Sequence, residues 1–116
     1  MSASVWTPVS GQNQPSIKFG TSILLTDGSI LVQNVNARDW WRLTPDLQGK
    51  YESGSWTGPF SMATARQYYS SGVLPDGRVF VIGGEYAGSN AAASLTTGEI
   101  FDPATGKWSA MNKPNT

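Results

Sequence analysis

The side chains able to do chemistry in this 116-residue chain form a narrow set, because it contains neither histidine nor cysteine. Zinc, haem and non-haem iron centres built on imidazole or thiolate have no donors here. Ser-His-Asp and Cys-His nucleophile systems are excluded on the same ground. What remains is carboxylate chemistry, from Asp27, Asp39, Asp46, Glu52, Asp76, Glu85, Glu99 and Asp102. Asp27 and Asp76 stand in Asp-Gly turns, and Asp46 and Asp102 sit beside prolines in loops, so these four have structural work. Asp39, Glu52, Glu85 and Glu99 are left. A glycosidase needs two carboxyl groups facing each other at roughly 5–9 Å, and the spacing of these four sets up no such pair. There is no Asp-x-Asp-x-Asp loop for calcium. No cofactor is expected, and the balance leans away from an enzyme.

The elements that must position these groups are read from a repeat. Ser22-Ile-Leu-Leu-Thr-Asp-Gly-Ser-Ile-Leu-Val32 and Ser71-Gly-Val-Leu-Pro-Asp-Gly-Arg-Val-Phe-Val81 lie 49 residues apart and share five of eleven positions. Trp6, Trp56 and Trp108 keep a similar beat, at intervals of 50 and 52. A period near 50 is the mark of an array of similar units. Each copy predicts a β-hairpin, since Asp-Gly between two apolar runs supplies the positive φ of a tight turn. The runs Ile23-Leu24-Leu25, Ile30-Leu31-Val32 and Val79-Phe80-Val81-Ile82 do not alternate with polar residues. Continuous apolar runs imply sheets covered on both faces. In the second unit, Gly83-Gly84 ends the hairpin and Tyr86–Thr97 reads as a loop. Gly98–Asp102 then predicts a third strand, Pro103–Gly106 a turn and Lys107–Met111 a fourth strand. The first unit follows the same order, with strand three about Asp39 to Leu43, a long turn Thr44 to Gly54, and strand four about Ser55 to Phe60. The expected class is all-β, as two four-stranded antiparallel meanders.

The apolar hairpin closed by Gly83-Gly84, then Glu99-Ile-Phe-Asp102-Pro103, then Gly106-Lys107-Trp108, resembles a Kelch repeat, one blade of a β-propeller. Arg66, upstream of the hairpin, matches a position often basic in such repeats. The Leu-Pro-Asp-Gly signature is most similar to blades of the galactose oxidase-like propeller family. The resemblance is strong over residues 66–112, blade two, and weaker over 17–60, blade one, where Val32-Gln33-Asn34 stands in place of the double glycine. Residues 5–9 look like a stray closing strand of a preceding blade. Galactose oxidase-like enzymes hold copper with two tyrosines and two histidines, one tyrosine crosslinked to a cysteine. The missing histidines and cysteine bar transfer of that activity to this chain.

The eight basic and eight acidic residues balance to zero and are scattered, so neither a nucleic-acid nor a membrane surface is expected. The N-terminus lacks the regions of a signal peptide, and the sequence does not name a compartment. In an up-and-down blade the tight Asp-Gly turns share one end. Residues 34–38, 85–96 and the linker 62–67 share the other, which is the expected binding face. Candidate ligand-binding residues there are Arg38, Asp39 and Trp40 from blade one, with Arg66, Glu85 and Tyr86 from blade two. Each also has a packing interpretation. One of Trp40 and Trp41 must point into the core, Arg66 can tie neighbouring carbonyls together, and Glu85 offers Arg66 a partner.

The leading expectation is a non-catalytic propeller module that binds a glycan or a protein surface. The alternative is a fragment or subunit of an oxidase-like or carbohydrate-active propeller enzyme whose catalytic residues lie elsewhere. A ring takes ~4–8 blades and these residues supply two, leaving both outer sheet faces bare. Homo-oligomeric closure is therefore expected, with three copies making six blades ahead of two copies making four, or else closure by further sequence. The strand at 5–9 is the expected latch onto a neighbouring copy.

Overall fold

The computed structural model describes residues 8–9, 11–86 and 95–111, which contain strands and no helix. The first sheet has strands β1 (Phe19–Leu24), β2 (Ile30–Asn34), β3 (Asp39–Thr44) and β4 (Ser55–Ser61), in that order and antiparallel. A two-stranded ribbon joins β5 (Arg66–Gln67) to β8 (Glu85–Tyr86). The second sheet runs β6 (Ser70–Val73), β7 (Val79–Ile82), β9 (Gly98–Asp102) and β10 (Lys107–Met111). The last two strands have the bounds expected from sequence. Most of the predicted 86–97 loop and of the strand at 5–9 lies outside the described residues, and Pro8 and Val9 are in no strand. Gln12 bridges Ser55 on the outer edge of β4, its N–H donating to Gly54 O and its carbonyl accepting from Trp56 N.

The Asp-Gly turns form as the repeat predicts. Gly28 and Gly77 have φ of 89° and 91°, a region that glycine enters without steric cost. Asp27 Oδ1 accepts from the N–H of Ser29, and Asp76 Oδ1 from that of Arg78. The longer turn between β3 and β4 is closed from within, Asp46 accepting from Gln48 N, Lys50 N and Ser53 Oγ. Gly84 answers a different need. A Cβ there would lie 2.6 Å from Gln67 O and 2.9 Å from the Tyr69 Cβ, so the double glycine lets the ribbon pass close to the blade linker.

The two sheets pack face to face. Ile23, Leu25, Leu31, Trp40 and Met62 of the first unit meet Val79, Val81 and Phe101 of the second, with Phe60, Tyr69 and Trp108 against them. Trp40 lies 5.5 Å from Trp108 and 6.3 Å from Tyr69, ring centre to ring centre. Polar links cross the same seam. Arg42, held within the first unit by Ser29 Oγ and Asp27, donates across to Pro103 O, and Gln33 donates to Arg66 O while accepting from the Tyr69 hydroxyl. Burial pushes the Tyr69 phenol above its ordinary value.

The outer faces differ from the sequence-based expectation. In β2, Leu31, Val32 and Gln33 are consecutive and all buried, so this strand is covered on both sides. The outer side is covered from within the first unit. Val32, Leu43 and Trp56 pack with Ile30, Trp41 and Tyr51, and Phe19 stacks on Trp56 at 5.6 Å. The expectation of two bare faces is corrected for β2 alone, where aromatics of the first unit fold over its outer side, while Leu24 on β1 stays 64% exposed and Phe19 51%. Among the described residues the second unit has no such cover. Its outward residues Phe80 and Ile100 are half-buried and Ile82 is exposed.

Candidate functional site

The linker between β4 and β5, the start of β9 and the middle of β10 enclose a groove of about 460 Å3 between the two sheets, at the end opposite the Asp-Gly turns. Its floor is a buried ion pair, Arg66 Nη2 to Glu99 Oε2 at 3.1 Å. Arg66 is fully buried and Glu99 nearly so. The other guanidinium bonds run from Nη1 to Gly83 O and Thr97 O, and from Nη2 to Thr97 Oγ1. Glu99 Oε1 accepts from Ala63 N at 2.6 Å. The arrangement holds the blade linker against the second sheet, and every charge is matched, as a buried charge requires. Arg38, Ser61, Thr64, Trp108 and Ser109 form the walls and rim. Trp108 Nε1 donates to Phe60 O, and its ring packs on Trp40 and Phe101, which leaves the residue half-buried along the groove.

Of the six residues expected at a binding face, the structure brings Arg38 and Arg66 to one groove. Arg38 is exposed on its rim, whereas Arg66 is interior and its terminal nitrogens are spent on carbonyls and Glu99. Trp40 is also interior, at 0% exposure, because its strand turns it toward the second sheet while Trp41 points outward. Asp39 is turned aside, accepting from Asn34 Nδ2 and Trp41 Nε1. Glu85 is exposed and stands opposite Gln67 in the ribbon, and Tyr86 stands opposite Arg66 in the backbone register. The expected Arg66–Glu85 pair is therefore corrected to Arg66–Glu99. Side chains alternate across a strand, so a residue opposite Gln67 lies on the other face of the ribbon from Arg66. Two features were missed in the sequence. Glu99 had no assigned role, and Tyr68, 84% exposed at φ 54°, projects from the linker just before β6.

At the opposite end, Asp27, Asp76 and Asp102 line a smaller groove with Arg42. These carboxylates belong to the turns. Asp102 Oδ1 accepts from Ala104 N, and Asp27 pairs with Arg42 at 2.6 Å. Hydrogen bonds from Ser29 hold Asp27 below the ordinary carboxylate value, and those from Arg78 do the same for Asp76. Their folded-state pKa lies below the unfolded one, so their contribution is present above the ordinary value of 3.8 and lost as pH falls through the folded value. The urea midpoint is expected to drop between pH 5 and pH 2, and less steeply in Asp27→Asn. An identical acid slope in that variant would remove Asp27 from the account.

Among the described residues no group of three or more Asp or Glu side chains could hold a metal ion. The copper ligand set of two histidines with a crosslinked cysteine does not fit residues that include neither type.

Comparisons with known proteins agree with this architecture. The Kelch motif family matches residues 68–115. An F-box/kelch-repeat protein of Arabidopsis thaliana is 35% identical over 71 residues, 61% of this chain and 14% of its own length. Galactose oxidase of Gibberella zeae is 37% identical over 59 residues, 51% of this chain and 8% of its own. Among solved structures, a fungal alcohol oxidase of the AA5 family in complex with copper superposes with a TM-score of 0.59 at 28% identity, covering 87% of this chain and 20% of that one. The chain thus spans a small part of the length of these relatives. With its double-glycine hairpin, its two four-stranded sheets and these likenesses, the chain carries a Kelch motif over residues 68–115 and is similar to blades of the galactose oxidase-like propellers.

Proposed function

We propose that these residues act as a non-catalytic propeller module whose ring is closed by further copies of the chain, packed head to tail. The observation that carries the reading is the uncovered outer face of the second sheet, with Ile82 at 45% exposure beside Phe80 and Ile100. An apolar sheet face of this kind marks an interface. The repeat supplies the partner. At an offset of 49, Phe80 and Ile82 take the positions of Leu31 and Gln33, which face the second unit inside the chain. Ladder register places Gly98 where the first unit has Trp40, and Trp41 where the second has Glu99. The internal seam thus sets a large Trp40 on one side and Glu99 on the other. A head-to-tail seam would set Gly98 against Trp41, with the large and small residues exchanged and the total bulk similar. That exchange favours a second copy as the occupant.

Light scattering of the purified chain at micromolar concentration is expected to give two or three times 12.4 kDa. Ile82→Asp is expected to give a folded monomer, because a charge buried in the seam would lack a partner. A well-folded wild-type monomer would sink the assembly reading and leave the face to blades of a longer polypeptide. A second reading, part of an oxidase-like enzyme, draws on the likeness to galactose oxidase and the copper-bound alcohol oxidase. Peroxide release from primary alcohols by the isolated chain would reverse the ranking.

A further inference from the structure

We propose that the groove between the two sheets binds a small carboxylate-bearing sugar, a hexuronate, with Arg38 as the partner of its carboxylate. Three observations converge on that class. The first is charge. Glu99 and Arg66 neutralise each other on the floor, and both Glu99 oxygens are engaged. Arg38 on the rim takes part in none of the three ion pairs found among the described residues. The groove therefore carries one unmatched positive charge. A guanidinium offers a planar fork of donors matched to a carboxylate.

The second observation is an unused donor. Arginine has five N–H groups, and four bonds from the two terminal nitrogens are spoken for. The Nε–H is buried and has no acceptor among the described residues. Arg66 lines the groove, so this N–H is a donor left over there after the pair has neutralised its charge. The third observation is the character of the walls. The Ser61, Thr64 and Ser109 hydroxyls make no side-chain bond in the described structure, and the half-buried Trp108 ring has its only N–H committed to Phe60 O. Free hydroxyls beside an aromatic surface suit a ligand with hydroxyls on its edge and C–H groups on its face. The volume of about 460 Å3 lies in the range of small-ligand sites. The groove is formed within one chain, so the site stands or falls independently of ring closure.

The test is calorimetric titration of the full chain at low salt with glucuronate, glucose and acetate. Glucuronate is expected to bind saturably and about tenfold more tightly than either of the others, the size expected for one charge-assisted hydrogen bond. Arg38→Ala is expected to remove that advantage over glucose, and so is Ser109→Glu, which sets a carboxylate on the rim. Both positions are exposed, and an unchanged urea midpoint confirms that the variants fold. Raising the salt to about 1 M, where the screening length is roughly 3 Å, is expected to weaken glucuronate and leave glucose unchanged. Absence of saturable glucuronate binding overturns the proposal, as does equal affinity for glucose or undiminished affinity in Arg38→Ala. Acetate binding as tightly as glucuronate would overturn the sugar and leave only an anion contact.

Discussion

Replacing Arg66 with methionine is expected to destabilise the chain by about 3–5 kcal/mol, the typical cost of removing one member of a buried ion pair. Natural domains of this size are stable by only ~5–15 kcal/mol, so much of the population would unfold on mild heating. The cost has two sources. Glu99 would keep a buried charge with one backbone N–H as its remaining partner. The Gly83 carbonyl would also lose its donor, and the Thr97 carbonyl would keep only the Gly83 N–H, where the ribbon and β9 meet the linker. Urea titration followed by tryptophan fluorescence measures the loss. The double variant Arg66→Met, Glu99→Gln is expected to recover part of it, because the stranded charge is gone; neighbours in one network do not add. A single-variant loss below about 1 kcal/mol would show that water reaches the pair.

The second large effect concerns Trp40. Trp40→Ala is expected to cost about 3–5 kcal/mol, the range for removing a large aromatic from a core, since the ring fills the space between Tyr69 and Trp108. Trp41→Ala is the control. Trp41 is half-buried and packs within the first unit, so its loss should be clearly smaller. Equal costs for the two variants would contradict the placement of Trp40 alone in the seam. The same experiment separates two roles for the residue, since loss of ligand affinity in Trp40→Ala would here follow loss of the fold.

The strands and turns were legible because they rest on local chemistry. Asp27-Gly28 and Asp76-Gly77 set the hairpins, Gly98–Asp102 and Lys107–Met111 fall where the pattern places them, and adjacent Trp40 and Trp41 had to part. The partner of Arg66 was not legible. Glu85 is nearer in sequence than Glu99, and the choice depends on which side of a two-residue ribbon each side chain leaves. The cover over β2 on the outer face of the first unit was not legible for a similar reason. Its apolar run required cover, but that the cover is supplied by Phe19, Trp41 and Tyr51 follows from rotamers and strand twist. The groove was half legible. Its basic residues stood out in the linker and the loop, whereas its Ser and Thr walls come from β4, the linker and β10, far apart in the chain.

The turn between β3 and β4 has a consequence for engineering. Its backbone is tied inward by Asp46, while Leu47 at its tip is fully exposed and makes no contribution to either core cluster. Lengthening a surface connection adds only about 0.6 kcal/mol for each doubling, so the tip is a natural attachment point for a fluorophore, an affinity tag or an entire guest domain. Such a graft would stand at the far end of the sheets from the linker, and would leave both the seam and the groove open to whatever reaches them.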